Sequence, residues 1–522
     1  MRIGFSTIFS YRPHVQQVYY LSKQLKNAGH DVFYLNCNSS LPTCYTLELR
    51  PNNRLKECLK CQVGSLKSYT KENLTFINKD CQEQLSPDLL DKLTQSSSYT
   101  LSRIEDPKDI SSKQVIELQK KLHPTVEIVY ANGKKWIKDN ELDYVFFFNG
   151  RMDATNALKQ ACENSEIQYC SVERPLFANG LQLNFNENCL SLKTLSDLQN
   201  KYIDKALTHD QASQAASLIT SRFINKNNLE WRSFNKNSVN ESWPTQGSGK
   251  KILIMPSSRN EVWSEFDWRN DWLEFPQIFE KIIEKISQTY GGDYSNCILR
   301  SHPIWAQNVG GMDGKKIIDY YKEWCEKKNI CFIEPESKIS SSYLMQQADF
   351  VLINGSTAAY ESCILGIPTI NTARTRYQDA NMVTNIFNEN DLYQFSPEKL
   401  VTRNKKEIIR STLRYLYSYF VRYALFNNDI KANSAHDFSY SPQIDTARLE
   451  KMMVSGELIP DDESFATNEI EEDQLIDTIL KKEWKSIQNK KNTENLTSTK
   501  VKRRGMYVWV DFIRNQFQRG DL

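Results

Sequence analysis

Strand-like apolar runs alternate with helix-length amphipathic segments along most of this chain, and the alternation occurs in two separate series. The first series opens with a strand at 2–6, an amphipathic segment at 14–28 and a strand at 31–36. A stretch rich in Asn, Ser and Gly at about 225–250 has no apolar period and separates the two series. Strands that alternate with helices at this rhythm favour parallel sheets covered on both faces. The sequence therefore predicts two α/β units joined by a linker.

The second series is the more regular of the two. It predicts a strand from 251, a helix near 273–289, a strand at 297–303, a helix near 315–328, a strand at 330–335, a helix near 340–347, a strand at 349–357, a helix near 358–365 and a strand at 367–371. Two Rossmann-like units normally leave a cleft beyond the carboxyl ends of their strands, where ligands bind. We expect the domains 1–235, with a Cys-containing insertion at about 37–110, and 250–400, followed by a helical extension and tail over 401–522.

Charge and hydropathy argue against two classes of partner. The 522 residues carry 66 Lys and Arg against 64 Asp and Glu, so no chain-wide positive field attracts nucleic acid. No segment approaches the roughly 18 apolar residues that a membrane-spanning helix needs. The N-terminal apolar stretch meets Arg12 and His14 before a signal-peptide core is formed. We expect a cytoplasmic protein that binds no nucleic acid.

A small polar knot, Asn354-Gly355-Ser356-Thr357, follows one strand of the second series and opens a helix. The first turn of a helix has unpaired N–H groups, and glycine lets a phosphate approach the backbone closely. Ser356 and Thr357 can bond a phosphate oxygen, while Glu361, about one turn further on, can accept the hydroxyls of a ribose. The alternative is an ordinary helix cap followed by a solvent-facing glutamate.

Two other strand ends of the second series carry hydroxyl and cationic groups. They supply Arg300, Ser301 and His302 after one strand, and Ser257, Ser258 and Arg259 after another. A guanidinium and an imidazole beside these hydroxyls are suited to hold phosphate oxygens. For His302, a packed loop histidine is the alternative. Three such strand ends in one domain indicate a bound nucleotide.

At these residues the chain resembles a known family. The run "ILRSHP" at 298–303, followed by "ADFVLINGSTAAYESCILGIPTI" at 348–370, resembles the donor domain of GT-B glycosyltransferases of bacterial capsule and lipopolysaccharide assembly, above all the Kdo- and sialic-acid-polymer transferases. The resemblance covers 250–371 and extends to the N-terminal half only in layout. It implies a GT-B-like fold, a nucleotide-sugar donor, His302 at the nucleotide phosphate, Ser356 and Thr357 at the phosphate or base, and Glu361 at the ribose. It leaves CMP-, CDP-, UDP- and GDP-linked donors open.

An inverting transfer also needs a group that takes the proton of the acceptor hydroxyl, and the first domain offers three candidates. Asp153 and Glu173 follow predicted strands and rank equally, and His14, which opens the first helix beside Pro13, ranks third. Asp153 can instead cap its own helix, and Glu173 with Arg174 can form a structural ion pair with Arg151. No Asp-X-Asp motif is convincingly placed, so we expect catalysis without a metal ion.

Cys37, Cys44, Cys58 and Cys61 fall in the predicted insertion with the spacing C-x6-C-x13-C-x2-C. Four thiolates can close a tetrahedral zinc site, and a polar loop without its own core benefits most from such a link. The alternative is four reduced thiols, because the double C-x2-C pattern of strong zinc motifs is absent. A structural zinc ion is thus one of two interpretations of the cluster.

The segment 500–522 combines a basic cluster with an amphipathic helix that starts after Gly505. One stripe of that helix is apolar and contains Met506, Trp509, Val510, Ile513 and Phe517. Such a stripe beside Lys and Arg suits an anionic membrane surface, and a transferase that extends a lipid-linked glycan needs that contact. This interpretation places the protein at the inner face of the cell membrane. The alternative is a terminal helix packed on the protein's own core.

The sequence therefore predicts an inverting glycosyltransferase that moves a sugar from a nucleotide donor to a growing cell-surface polysaccharide. Three other functions stay open on the same residues: a CDP-polyol phosphotransferase, a sugar-nucleotide 2-epimerase and a non-catalytic polysaccharide-assembly protein. Selective binding of one nucleotide would separate the enzymes from the assembly protein.

Overall fold

Two mainly parallel sheets form the centre of the protein. The computed structural model describes residues 1–50, 53–224, 229, 238–269, 272, 275–307, 314–488 and 499–517. The predicted linker at about 225–250 lies partly outside these residues. The two Rossmann-like units predicted from the sequence are confirmed by the strand order of both sheets.

The first half of the chain alternates strands and helices from its N-terminus. Its elements are β1 (Arg2–Ser6), α1 (His14–Asn27), β2 (Asp31–Asn36), α2 (Tyr45–Leu49), α3 (Arg54–Gly64), β3 (Leu74–Phe76), α4 (Pro87–Ser102), α5 (Lys113–Asp139), β4 (Tyr144–Phe148), α6 (Asp153–Asn164), β5 (Gln168–Glu173), β6 (Leu181–Phe185), α7 (Lys193–Tyr202) and α8 (His209–Phe223).

The second series and the C-terminal extension follow. Their elements are β7 (Ile252–Ile254), α9 (Arg259–Trp263), α10 (Gln277–Tyr290), β8 (Cys297–Arg300), α11 (Lys315–Lys328), β9 (Cys331–Ile333), α12 (Ser341–Gln347), β10 (Phe350–Ile353), α13 (Ala358–Ile364), β11 (Thr369–Asn371), β12 (Thr384–Asn385), α14 (Glu389–Gln394), α15 (Pro397–Thr402), α16 (Lys405–Tyr417), β13 (Ala424–Leu425), β14 (Ile430–Ala432), β15 (Phe438–Tyr440), α17 (Thr446–Ser455), α18 (Ile470–Leu480), α19 (Trp484–Gln488) and α20 (Gly505–Phe517).

Both sheets have the strand order of a doubly wound fold. The first sheet runs β13-β6-β5-β4-β1-β2-β3, and the second runs β12-β11-β10-β7-β8-β9. In each unit the first strand is central, the next two strands lie on one side of it, and the following strands lie on the other. Only β6 and β13, at one edge of the first sheet, pair in the antiparallel sense. The strand order therefore reverses between β1 and β4 and between β7 and β10, the positions at which such sheets bind ligands.

The strands are apolar on both faces because helices cover both faces of each sheet. In β4, Tyr144 and Phe146 belong to one buried cluster, while Val145 and Phe147 belong to the cluster on the opposite face. The period of two along a strand thus distributes one apolar run between two layers of the core.

The predicted insertion at about 37–110 is more closely integrated into the first unit than its composition indicates. It contributes β3, which pairs in parallel with β2 and places Leu74 opposite Tyr34. It also contributes α4, which begins at a Ser86 cap and Pro87. The pattern is weak in the sequence because β3 has three residues and lies at the sheet edge, where one row of backbone groups stays unpaired.

Segments from each half of the chain also pack against the sheet of the other half. Leu195 of α7 and Ile219 of α8 share a buried cluster with Leu253 and Val351 of the second sheet, although we expected residues up to 235 in the first domain. Conversely, β13, β14, β15 and α17 of the C-terminal extension pack with the first sheet, so the extension is not wholly helical. These crossings join the two units through buried apolar surface as well as through loops.

Candidate active site

Three loops meet where the strand order of the first sheet reverses. His14 follows β1 by way of the turn at 7–13, Asn149 directly follows β4, and Glu173 ends β5. Because β1, β4 and β5 are consecutive neighbours in a parallel arrangement, their carboxyl ends lie side by side. The structure therefore brings together His14 and Glu173, two of the three predicted bases.

His14 Nε2 and Glu173 Oε1 form a short hydrogen bond. The other carboxylate oxygen of Glu173 accepts from Asn149 Nδ2 at 3.2 Å, and Oε1 also accepts the Arg174 backbone N–H at 3.0 Å. Burial by itself would raise the pKa of Glu173, but the adjacent His14, that hydrogen bond and Arg174 outweigh burial and lower the pKa to about 2. Glu173 is therefore an ionised carboxylate that orients an imidazole.

The second ring nitrogen of His14 can serve as a proton acceptor. Nδ1 is buried and has no hydrogen-bond partner among the described residues. The ring lies against Phe148, with 4.2 Å between ring centroids. In the neutral ring whose Nε2–H donates a hydrogen bond to Glu173, the lone pair is on Nδ1, which is the form of a general base. Nδ1 is covered in this state, so a hydroxyl reaches it only when a covering side chain moves.

Asp153 is not part of this cluster, contrary to the prediction that ranked it with Glu173. Its side chain is fully buried and accepts from the Tyr45 backbone N–H at 3.0 Å and from Ser97 Oγ at 3.2 Å. Burial raises its pKa to about 6, and the hydrogen bonds limit that rise. Asp153 therefore ties the start of α6 to α4 and to the loop before α2, with no direct path to an acceptor.

His436, which the sequence does not indicate as a site residue, lies near the His14–Glu173 pair. It is in the turn between β14 and β15, which the C-terminal extension carries back to the first sheet. Burial lowers its pKa; a hydrogen bond that the imidazole donates to the Arg12 backbone opposes that effect, and the charges of Arg174 and His14 lower the pKa further. No local pattern marks His436 as a site residue, because its neighbours come from positions more than 200 residues away in the chain.

The second sheet presents a matching set of loops at its own reversal point. The Ser257 N–H donates to Asn354 Oδ1 at 2.6 Å, which joins the loops after β7 and β10. The Gly355 N–H donates to Asn371 Oδ1 at 2.9 Å, which adds the end of β11. Gly355 has φ +85°, a conformation that glycine adopts without the cost of a Cβ. Asn354 and Asn371, neither of them predicted as site residues, thus hold the polar knot in shape.

Three predicted donor-site residues accept hydrogen bonds within these loops. The imidazole Nδ1 of His302 accepts from the Ile304 N–H at 3.1 Å, the hydroxyl of Ser356 accepts from the Ala358 N–H at 3.3 Å, and the hydroxyl of Ser258 accepts from the Trp305 indole N–H at 3.1 Å. Because Nδ1 of His302 accepts a hydrogen bond, the neutral ring carries its proton on Nε2. Thr357 is exposed at the same sheet edge.

The two predicted arginine clamps contact protein groups in this structure. The Arg259 backbone N–H donates to both carboxylate oxygens of Glu105, at 3.2 and 3.1 Å, and its guanidinium donates to the Glu105 carbonyl at 2.8 Å. The Arg300 guanidinium donates to the carbonyls of Glu334 and Ser337, at 2.8 and 2.9 Å. Burial lowers the pKa of Arg300 to about 10. Both arginines therefore organise loops, and Arg259 connects the two units.

Glu361 is mostly buried and forms an ion pair with Arg222 of α8 at 3.0 Å. The side chains of Glu361 and Arg222 are 11% and 9% exposed. A role at the ribose requires Glu361 to share or exchange this partner, which the local sequence did not indicate because Arg222 lies 139 positions away.

The loop edges of the two sheets face each other. Arg151, after β4, donates to Ser264 Oγ at 3.4 Å, and Asn188 Nδ2 donates to Glu265 Oε2 at 3.2 Å. Ser264 and Glu265 follow β7 and α9 of the second unit. The loops at the carboxyl ends of the two sheets are therefore in contact; the His14–Glu173 pair belongs to the first unit and the polar knot to the second.

The four predicted zinc ligands line one small apolar pocket, together with Ile8 and Leu41. The described residues contain no group of three or more His, Cys, Asp or Glu arranged to hold a metal ion, and all four cysteines are described, so the structure does not support the predicted zinc site. Burial raises the pKa of Cys61 to about 11 and that of Cys44 well above its usual value.

Comparison with known proteins finds likeness only at the level of three-dimensional structure. No protein-family model matches the sequence, and no curated protein matches it. The solved structures it resembles include the Thermosulfurimonas dismutans KpsC β-Kdo 2,4-transferase, at 12% identity and a TM-score of 0.34, with 65% of this chain and 87% of that one covered.

Two other solved structures show a comparable likeness. The Methanocaldococcus jannaschii UDP-GlcNAc 2-epimerase, solved with UDP-GlcNAc and UDP, has 13% identity and a TM-score of 0.30 over 78% of this chain and 94% of its own. Acinetobacter baumannii MurG has 10% identity and a TM-score of 0.26 over 79% and 95%. Likeness at this level assigns no reaction to the chain.

Proposed function

We propose that the protein is an inverting glycosyltransferase that uses a nucleotide-sugar donor and extends a cell-surface glycan. The observation that carries this proposal is the Glu173–His14 pair at the reversal point of the first sheet, with Nδ1 of His14 unpartnered among the described residues. A carboxylate that orients an imidazole is the arrangement of a general base, and it lies across a cleft from the loops that would hold a nucleotide.

In the proposed reaction His14 acts on the acceptor. Nδ1 takes the proton of an acceptor hydroxyl while its oxygen attacks the anomeric carbon of the donor, and the bond from that carbon to the nucleotide phosphate breaks. Glu173 stabilises the imidazolium that forms, since it stays ionised. On the donor side, His302 Nε2–H, Ser356 and Thr357 would contact the leaving phosphate, and Glu361 the ribose.

The donor proposal predicts that one nucleotide among CMP, CDP, UDP and GDP raises the melting temperature of the protein selectively. His302→Ala is expected to weaken that binding about tenfold, because it removes one hydrogen bond to a charged phosphate. Calorimetric titration of the stabilising nucleotide measures the change. His123→Ala serves as the matched control, since His123 pairs with Asp91 on the surface of the first unit. Unchanged affinity in folded His302→Ala would remove this residue from the donor site.

Product analysis separates the proposed transfer from the 2-epimerase reaction. A glycosyltransferase releases free nucleotide only when an acceptor is supplied, whereas an epimerase converts the nucleotide sugar with no acceptor present. Conversion of the donor sugar in the absence of acceptor would therefore contradict the proposed glycosyl transfer and favour the 2-epimerase reaction. Failure of every nucleotide to stabilise the protein would favour a non-catalytic assembly role.

We also propose that the protein contacts an anionic membrane surface through two helices. Among the described residues, no helix is long and apolar enough to cross a membrane. On α20, however, Met506, Trp509 and Phe512 are 65%, 73% and 63% exposed. This exposure favours the surface interpretation over a helix packed on the protein's own core.

The segment before α20 is attached to the first unit beside α3. The Arg504 N–H donates to the Ser68 carbonyl at 2.7 Å, and its guanidinium donates to the Lys67 carbonyl at 3.1 Å. Arg503 donates to the Val63 carbonyl near the end of α3. On α3 itself, Leu55 and Leu59 are 78% and 61% exposed.

Basic residues lie among these exposed apolar side chains on both segments. They are Lys56 and Lys60 on α3, and Lys500 and Lys502 before α20. Apolar and aromatic groups that enter the headgroup region, combined with Lys and Arg near anionic lipid, are the features of an interfacial helix. We therefore name the anionic bilayer as the partner of the α3–α20 face.

The membrane proposal predicts co-sedimentation with vesicles of phosphatidylcholine and phosphatidylglycerol, and weaker binding to vesicles of phosphatidylcholine alone. The double variant Trp509→Glu, Phe512→Glu is expected to lose most of this binding. Each substitution removes an aromatic ring that would enter the headgroup region and adds a negative charge that the anionic surface repels. Tyr393→Glu, on α14 and 83% exposed, is the control for an added charge at an exposed aromatic position. Equal binding by all three proteins, or none by the wild type, would contradict the proposal.

A further inference from the structure

A polar pocket of about 400 Å³ lies between α7 and two segments of the second unit. Its lining comes from three separate places in the chain: the start of α7, the segment after α9, and the segment after β11. The polar lining residues are Lys193, Ser196, Asp267, Arg269, Arg374 and Gln378.

The three cationic side chains of this pocket have no carboxylate partner among the described residues. The Arg269 guanidinium donates to the Trp263 carbonyl at 2.7 Å and lies over the Trp263 ring at 5.6 Å, and its Nε is buried without a hydrogen-bond partner. Arg374 lies over the Phe387 ring at 5.2 Å. Lys193 is exposed at the start of α7. Three cations that converge without a partner leave an unbalanced positive charge at this point.

The remaining polar groups only partly offset this charge. Asp267 is the one carboxylate among the lining residues, and it is exposed. Ser196 Oγ donates to Asp379 at 2.6 Å, so this neighbouring carboxylate is engaged by a hydroxyl. The lining thus keeps a net positive charge of two, counted as three cations against Asp267. A polar pocket with this net positive charge suits a ligand that carries one or two negative charges.

We propose that this pocket binds the phosphate or carboxylate group of a ligand. A phosphate matches the fork of a guanidinium bidentately, and a carboxylate does the same with one charge fewer. Arg374 and Lys193 come from loops of different parts of the chain, so an anion that contacts both also links those parts. The segment that carries Arg374 is adjacent to the polar knot, since Gly355 lies against Ala373 and Thr375.

Calorimetric titration of the full chain with inorganic phosphate, inorganic diphosphate, glucuronate and glucose tests this proposal. The anions are expected to bind saturably and more weakly as salt rises, while neutral glucose does not bind. Stronger binding of phosphate or diphosphate than of glucuronate identifies a phosphate site, and the reverse order identifies a carboxylate site. Absence of saturable binding by all three anions would overturn the proposal.

Variants assign the binding to this pocket rather than to the polar knot. Lys193→Gln and Arg374→Gln are each expected to weaken anion binding about tenfold, as expected for loss of one charge-assisted contact. Lys399→Gln, at an exposed lysine of α15, is expected to leave anion binding unchanged, and His302→Ala reports any anion that binds at the proposed donor site instead. Binding that falls in His302→Ala but not in the two pocket variants would overturn the proposal and place the anion at the donor loops. Circular dichroism confirms that each variant is folded.

Discussion

Replacement of His14 by Ala is expected to lower kcat by about 10²–10⁴-fold, the usual contribution of a positioned general base. Glu173→Gln is expected to lower kcat less, because glutamine still contacts the ring but no longer stabilises an imidazolium through its charge. Nucleotide affinity should change little in either variant, since both residues act on the acceptor side of the cleft. Steady-state kinetics with a saturating donor, together with nucleotide titration, measures the two effects separately.

Asp153→Asn is the control that distinguishes the two carboxylates ranked equally from the sequence. Its side chain is buried against Tyr45 and Ser97, so the substitution is expected to reduce stability by about 1–3 kcal/mol while folded enzyme keeps its kcat. Wild-type kcat in both His14→Ala and Glu173→Gln would remove the pair from catalysis. A loss of kcat confined to Asp153→Asn would reverse the assignment made from the geometry.

Replacement of Glu472 by Ala is expected to destabilise the protein by about 3 kcal/mol, because it leaves the Leu207 N–H unpaired and leaves Arg414 with the half-exposed Glu469 as its carboxylate partner among the described residues. Glu472 on α18 is fully buried and accepts from Arg414 Nε at 2.9 Å and Nη2 at 2.8 Å. It also accepts the Leu207 backbone N–H at 2.8 Å. The loss should appear as a lower denaturant midpoint in urea unfolding, with activity of the remaining folded protein unchanged.

The matched control for Glu472 is a glutamate of the same segment that is not buried. Glu483, just before α19, is exposed, and Glu483→Ala is expected to change stability by no more than about 0.5 kcal/mol. Glu472→Gln, which keeps the shape of the side chain, should be intermediate. Equal midpoints for Glu472→Ala and Glu483→Ala would show that this buried network contributes nothing to stability.

The contrast between Asp153 and Glu173 explains why the candidate site was only partly predictable. Each carboxylate follows a strand of the first sheet, and nothing in the neighbouring residues separates them. Tertiary packing separates them, since α4 covers Asp153 through Ser97, whereas Glu173 ends a strand beside the loop that carries His14. Whether a carboxylate lies in a cleft or in a core depends on an element more than 50 positions away in either case.

The donor side shows the same limit. The polar knot and its strand ends were recognisable because glycine, serine and threonine after an apolar run have local conformational consequences. The partners of Arg259 and Glu361 were not recognisable, because Glu105 and Arg222 lie in the other half of the chain. For the four cysteines, spacing allowed a metal site, while the arrangement of the described side chains does not support one.

Local pattern alone was sufficient for the central strands of both sheets, for helices such as α1, α10 and α11, and for the two-unit α/β architecture, because periods of two and 3.6 residues are properties of neighbouring positions. The helix expected near 315–328 and the observed Lys315–Lys328 illustrate this. Tertiary structure decided which charged groups meet, that α7 and α8 join the second sheet, and that β13 returns to the first. The physical reason is that ion pairs, burial and pKa shifts arise from distances across the fold, and separation along the chain carries no information about those distances.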